Sequence, residues 1–211
     1  MVAVVSDGAG SARYGQIGAR IICETLCDLL INSTHKTIRR DVIKAIETAR
    51  RKLEMHRFNK QKSGDGLINF AATVVGAFYF KGHGLFFHIG DGAAIAFRRG
   101  DYTNLIISEP ENGAFSCETY FYTMEDWKNC LRFKPFNQID RIILMSDGVS
   151  GFVFADDFLT IRRNFLVPIV EYLENEPHKH HAVKALHNTL NDSRAQRLNA
   201  DDKTILWAKL Q

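Results

Sequence analysis

The sequence lacks the usual marks of a secreted, membrane-embedded or nucleic-acid-binding chain. Its four cysteines, Cys23, Cys27, Cys117 and Cys130, show no C-x-x-C spacing in 211 residues, which argues against a disulfide framework. Cys23 and Cys27 stand four apart on an apolar helical face, where small buried thiols are expected, and a reducing cytoplasm is the expected location. No apolar run approaches the length of a membrane span, and the N-terminus lacks the charged-then-apolar pattern of a signal peptide. Charge of one sign is also scarce: 27 Lys and Arg against 24 Asp and Glu leave a formal +3. Electrostatics therefore makes no case for nucleic acid. Neither nucleic acid nor a membrane is an expected partner, and no internal repeat or low-complexity segment is evident.

What is present is ordinary globular material. Hydrophobic residues make up 45% and charged residues 24%, enough to fill one core, and a single domain over 1–211 is expected. An apolar run, Val2-Ala3-Val4-Val5, reads as a buried strand that breaks at Asp7-Gly8. Helical periodicity follows over residues 15–31 and 37–59. The character then switches to strands over 69–80, 84–89, 93–98 and 102–107, punctuated by Gly82, Gly84, Gly92 and Gly100, which predicts an antiparallel meander. Residues 109–139 mix polar and aromatic side chains without periodicity and read as an inserted flap. A strand over 142–145 ends at Asp147-Gly148, helices follow over 156–174 and 179–192, and a strand over 204–210 closes the chain. Strands and helices are segregated, which predicts an α+β fold.

Three aspartates share one context. Asp7 and Asp147 each end an apolar strand, follow a serine and precede a glycine, while Asp201 stands just before the last strand. A carboxylate fixed at the end of a buried strand is costly as an isolated charge. A hard cation such as Mg²⁺ or Mn²⁺ resolves that cost with oxygen ligands. Asp-Gly is a common turn pair, but two matched copies and a third acid outweigh that reading. Nucleotide-binding motifs fail on specific residues: Gln16 stands where a P-loop needs lysine, and Arg13 where a dinucleotide fingerprint needs glycine.

Other clusters have plainer readings. His178, His180 and His181 lie near a predicted helix start, with no cysteine or carboxylate at ligand spacing, and read as a solvated helix end. Lys36, Arg39, Arg40, Lys44, Arg50, Arg51 and Lys52 read as a solvated helix face. His88 reads as a packed strand histidine.

Ordered blocks then carry a resemblance. V-V-S-D-G-A-G-S at 4–11, A-A-T-V-V-G-A-F at 71–78, I-G-D-G-A-A-I-A-F at 89–97, I-L-M-S-D-G-V-S-G at 143–151 and D-D-K-T-I-L at 201–206 resemble the protein phosphatase 2C family in its expected order. Residues 112–122 resemble the flap of a bacterial branch. The resemblance implies two antiparallel sheets packed as a sandwich with helices on both sides, a four-layer αββα arrangement, here lacking the family's first strand. It implies metal-dependent hydrolysis of phosphoserine and phosphothreonine in a phosphorylated protein substrate, as part of signalling. Two Mg²⁺ or Mn²⁺ ions are implied: Asp7 bridging both, the Gly8 carbonyl on one, Asp147 and Asp201 on the other. Asp91 is the implied ligand of a third ion, although Gly151 replaces an aspartate that many relatives have. Arg13 is the candidate phosphate contact in place of a basic residue that the family carries upstream. The alternatives are a catalytically weak phosphatase-like module that binds a phosphorylated partner, and a hydrolase of small phosphoesters.

Overall fold

The computed structural model of the protein describes residues 1–59, 66–111, 119–155, 158 and 160–210. Their order is β1 (Val2–Val5), α1 (Gly15–Leu30), α2 (Ile38–Asn59), β2 (Val74–Phe80), β3 (His83–Ile89), β4 (Ala93–Phe97), β5 (Ile106–Ser108) and α3 (Trp127–Cys130). There follow β6 (Arg132–Asn137), β7 (Arg141–Met145), α4 (Asp147–Val153), α5 (Arg163–Asn175), α6 (Lys179–Leu190), α7 (Ser193–Leu198) and β8 (Ile205–Lys209). The strands form two four-stranded sheets, β1-β2-β3-β6 and β5-β4-β7-β8, with every pairing antiparallel.

The continuous apolar strands follow from burial on both faces. In β7, Ile143 and Met145 pack toward the helices α4, α5 and α6, while Ile142 and Leu144 pack into the layer between the sheets. In β1 and β2 the same alternation sends Val2, Val4, Val74 and Phe78 toward α1 and α2, and Ala3, Val5, Val75 and Ala77 inward. The inner layer is rich in alanine (Ala3, Ala77, Ala94 and Ala96), whose small side chains let the two sheets approach closely. On α1, Ile22, Leu26 and Leu30 recur every four residues and are fully buried, which sets the face it lays on the first sheet. The expected α+β sandwich with helices on both sides is therefore present.

Three readings are corrected. The predicted meander is split, because the chain turns at Gly90, with φ at +107°, and β4 joins the opposite sheet from β3. The stretch expected to be irregular contains α3 and β6. Within β6 only Phe136 is buried, and Pro135 interrupts its donors, so no strand-like alternation shows. The first residues of the predicted strand over 69–80 belong instead to a 3₁₀ turn, Leu67–Phe70, before β2 begins. The two thiols on α1 stay free, and burial pushes Cys23 up to about 12.

Helix α5 is fastened to the second sheet by charge. Glu174 at its end is nearly enclosed, and both carboxylate oxygens accept from Arg141 of β7, with Arg99 and Lys209 each 3.6 Å away. The Arg141 hydrogen bonds hold the Glu174 carboxyl below its usual range. A depressed carboxyl stabilises the fold above its ordinary pKa and ceases to do so as the pH falls through the depressed value. Glu174→Ala leaves Arg141, among the described residues, with only the Asp140 carbonyl at 2.8 Å and the Asp140 carboxylate at 3.5 Å, and we expect it to cost about 2–3 kcal/mol, read as a lower urea midpoint at pH 7. The difference from the wild type should shrink in acid; a variant as stable as the wild type at pH 7 would refute this role.

Candidate functional site

The sequence Ser-Asp-Gly occurs twice, and both copies are built in the same way. At the end of β1 the Ser6 hydroxyl donates to the Thr73 carbonyl at 2.6 Å, the Thr73 N–H donates to the Asp7 carbonyl at 2.9 Å, and the Asp7 N–H donates to the Thr73 hydroxyl at 3.1 Å. At the end of β7 the Ser146 hydroxyl donates to the Asp202 carbonyl at 3.2 Å and accepts from the Thr204 N–H at 3.1 Å. Each serine thus ties its aspartate to the segment that leads into a neighbouring strand, β2 or β8. Both glycines are required by close approach: a Cβ at Gly8 would lie 2.3 Å from the Gly15 backbone, and one at Gly148 would lie 2.1 Å from the Asp202 carbonyl.

These clamps bring the predicted aspartates together. Asp7, Asp91, Asp147 and Asp201 line one cavity of about 520 Å³, with Gly8, Thr73 and Thr119 among the other walls. Asp147 begins α4, and its carboxylate accepts from the Gly148 N–H at 2.7 Å, where the helix end favours negative charge. Asp201 sits on a loop pinned by Lys203, whose ammonium donates to the Asn199 and Asp201 carbonyls at 2.6 and 2.9 Å. Asp91 comes from the Gly90 turn between the sheets and accepts a 2.5 Å hydrogen bond from the Thr119 hydroxyl.

Crowding leaves its mark on the protonation of the site. Asp7 is raised to about 7, first by burial and then by the charges of Asp147 and Asp201. Asp147 is raised as well, by burial and by Asp91 and Asp201. Four carboxylates, with no histidine or cysteine among the described lining residues, fit hard divalent cations of the Mg²⁺ or Mn²⁺ kind.

Arg13 does not join this group. It is exposed, its guanidinium lies 5.4 Å over the Tyr14 ring, and it does not line the cavity. Among the described lining residues none is cationic. Residues 112–118 of the expected flap lie outside the described residues. Beyond them, Thr119, Tyr120, Phe121 and Met124 line the cavity, while Tyr122 and Trp127 are core residues. Tyr122 donates to the Gly18 carbonyl at 2.8 Å. Arg50 donates to the Tyr122 and Met124 carbonyls at 2.8 and 2.7 Å, so this member of the basic run fastens the segment to α2 and is not a solvated face. Thr119 and Arg50 carried no sequence signal, since a lone threonine in an irregular stretch and one arginine among seven basic residues look unremarkable. His88 is a packed histidine, held near neutral form by burial and bonded to Ser108 across the two sheets at 3.0 Å. The histidines near the start of α6 do have a carboxylate beside them, Glu176, contrary to the sequence reading.

Raised carboxyl groups set the pH dependence of the metal-free protein. A carboxyl raised on folding supports stability fully below its ordinary pKa of 3.8, and that support is lost as the pH rises through about 7. We expect the metal-free protein to melt progressively lower between pH 5 and 8, and Mg²⁺ to reverse the loss. Asp7→Asn should raise the metal-free melting temperature at pH 8 by about 2–4 °C, the equivalent of about 1 kcal/mol in a chain of this size. It should also blunt the response to Mg²⁺. A lower melting temperature for this variant at pH 8 would show that the crowding is not destabilising.

The family described as protein phosphatase 2C matches residues 1–197, whereas no curated protein sequence matches the chain. Among solved structures, the serine/threonine phosphatase PstP/Ppp of Mycobacterium tuberculosis shares the fold with a TM-score of 0.66 at 14% identity, over 100% of this chain and 88% of that one. The serine/threonine phosphatase Stp1 of Staphylococcus aureus gives 0.66 at 13%, over 100% and 84%. PppA of Pseudomonas aeruginosa, a regulatory component of its T6SS, gives 0.63 at 15%, over 99% and 86%. With the family match covering all but the last 14 of the 211 residues, and the paired Ser-Asp-Gly clamps converging on one acidic cavity, the chain belongs to the protein phosphatase 2C family.

Proposed function

We propose that this protein hydrolyses phosphoserine and phosphothreonine phosphoesters in protein substrates, with two divalent cations held by its carboxylate cavity. The observation that carries the reading is the convergence of Asp7, Asp91, Asp147 and Asp201 on one cavity at the ends of two packed sheets. A solved structure of PstP at 14% identity, in complex with two manganese ions, supports it. Asp7 would contact both cations, the Gly8 carbonyl one of them, and Asp147 and Asp201 the other, with Asp91 available to a third. When bound, such cations supply the Lewis acidity that activates water for in-line attack and offsets charge developing on the phosphoryl oxygens.

The protein's own residues do the rest. The serine clamps fix the carboxylates on rigid strand ends, so little reorganisation is needed at the moment of reaction. Asp7 and Asp147 must give up any shared proton before they can act as ligands, which couples cation binding to proton release. Tyr120 and Phe121 form a partly apolar wall along one side of the cavity, suited to contacting the chain that carries the phosphate. A second reading, a catalytically weak module that holds a phosphorylated partner, is favoured by the lack of a cationic side chain among the described lining residues. No helix among the described residues of the chain is long and apolar enough to cross a membrane.

Hydrolysis of a phosphothreonine peptide and of an aryl phosphate should require added Mn²⁺ or Mg²⁺ and cease with chelator. Asp147→Asn should lower kcat on the order of 10²–10³-fold, since a cation site is worth several kcal/mol of barrier. Activity unaffected by chelator would end the metal mechanism. Metal-dependent binding of the phosphopeptide without turnover would favour the binding module.

A further inference from the structure

The histidines at the α5–α6 junction are not a plain solvated helix end. Pro177 stands between the helices and stops α5, because the residue before a proline disfavours helical backbone. Glu176 is accordingly extended, at φ −83° and ψ 111°, and His178 is extended at φ −103° and ψ 112° before α6 begins. This short rigid corner folds the Glu176 side chain back under the histidines, where only 15% of it remains exposed. One carboxylate oxygen accepts from the His178 backbone N–H at 2.9 Å, and the other accepts from the Tyr172 hydroxyl at 3.2 Å. The carboxylate is therefore oriented before any ligand arrives.

Two imidazoles converge on that oriented carboxylate. His178 Nδ1 is 3.3 Å and His181 Nδ1 is 3.4 Å from Glu176 Oε1, and the three ligand atoms all lie within 4.8 Å of one another. A tetrahedral centre with bonds of 2.0–2.1 Å keeps its ligand atoms about 3.3–3.4 Å apart. Two of the three separations already have that value. The third can adjust by rotation of the imidazoles, both of which are more than half exposed. Each ring offers its Nδ1 lone pair when its proton sits on Nε2.

We infer that Glu176, His178 and His181 form a second metal site, taking a borderline cation of the Zn²⁺ class and leaving a fourth position to water. Mixed imidazole and carboxylate donors select Zn²⁺, Co²⁺, Ni²⁺ or Cu²⁺ over Mg²⁺, whereas the cavity of four carboxylates has the opposite preference. The hydrogen bonds from Tyr172 and the His178 N–H are outer-shell support of the kind that metal-ligating carboxylates have. None of the three ligands lines the carboxylate cavity, so the site is independent of the proposed chemistry there. Its effect is to staple the end of α5 to the first turn of α6, which raises the stability of the junction while the ion is bound.

Cobalt tests this directly. The full chain is saturated with Mg²⁺ to fill the carboxylate cavity and then titrated with Co²⁺. The expected result is one equivalent of Co²⁺ with the strong visible absorption of a four-coordinate nitrogen-containing site, bleached by one equivalent of Zn²⁺. The double variant His178→Ala, His181→Ala should melt like the wild type without metal, lose that absorption, and lose the rise in melting temperature that Zn²⁺ gives the wild type. Should the variant fold poorly, the imidazole ring signals of the wild type answer alone: His178 and His181 should shift on adding Zn²⁺, ahead of His35, His56 and His83. An unchanged cobalt spectrum in a folded double variant, or wild-type imidazoles indifferent to Zn²⁺, overturns the site.

Discussion

Mutual repulsion among carboxylates crowded at a half-buried cavity is the constraint around which the site is arranged. Asp7 and Asp147 share a cavity with Asp91 and Asp201, and the crowding pushes both carboxyl groups upward. Such a cluster spreads apart unless something stronger holds it. Here the holding is done by backbone. Ser6 and Ser146 lock two strand ends to neighbouring segments, Lys203 pins the Asp201 loop, and Thr119 holds Asp91. Each clamp is a hydrogen bond to a carbonyl or carboxylate within the site, so the repulsion is opposed locally.

The sandwich supplies the stiffness behind those clamps. Alanines in the inner layer bring the two sheets close, so that strand ends from both reach one cavity. Replacing them with larger side chains would widen the layer and separate Asp7, carried by the first sheet, from Asp147, carried by the second. Helices on the outer faces complete the burial of both sheets, and the Glu174–Arg141 pair fastens one of them.

Legibility in the sequence followed the range of the interaction. Strands buried on both faces and amphipathic helices are written in local periodicity, and β1, β2, β7, α1 and α2 were read on that signal. The repeated Ser-Asp-Gly also announces itself, because the same backbone problem is solved twice with the same residues. The cavity's remaining parts depend on contacts far apart in the chain. Thr119 meets Asp91 across 28 residues, and Arg50 meets Tyr122 across 72. β6 hid because an edge strand with one buried side chain has no alternation to show. Glu176 hid for a different reason: two residues before His178 and five before His181, it matches no helical spacing, and the non-helical corner between α5 and α6 brings the three together.

The charge pattern also orders events at the cavity on the proposed reading. A phosphomonoester is itself strongly anionic, and the described cavity offers it four carboxylates and no cationic side chain. Substrate entering the metal-free protein would meet the same repulsion that raises Asp7. Divalent cations bound first offset that negative charge and present Lewis-acidic centres to the phosphoryl oxygens, displacing any proton held by Asp7 or Asp147. Metal binding is then a precondition for substrate binding as well as for its chemistry. The protein's affinity for substrate rests on how firmly its strand ends hold four oxygen donors in place.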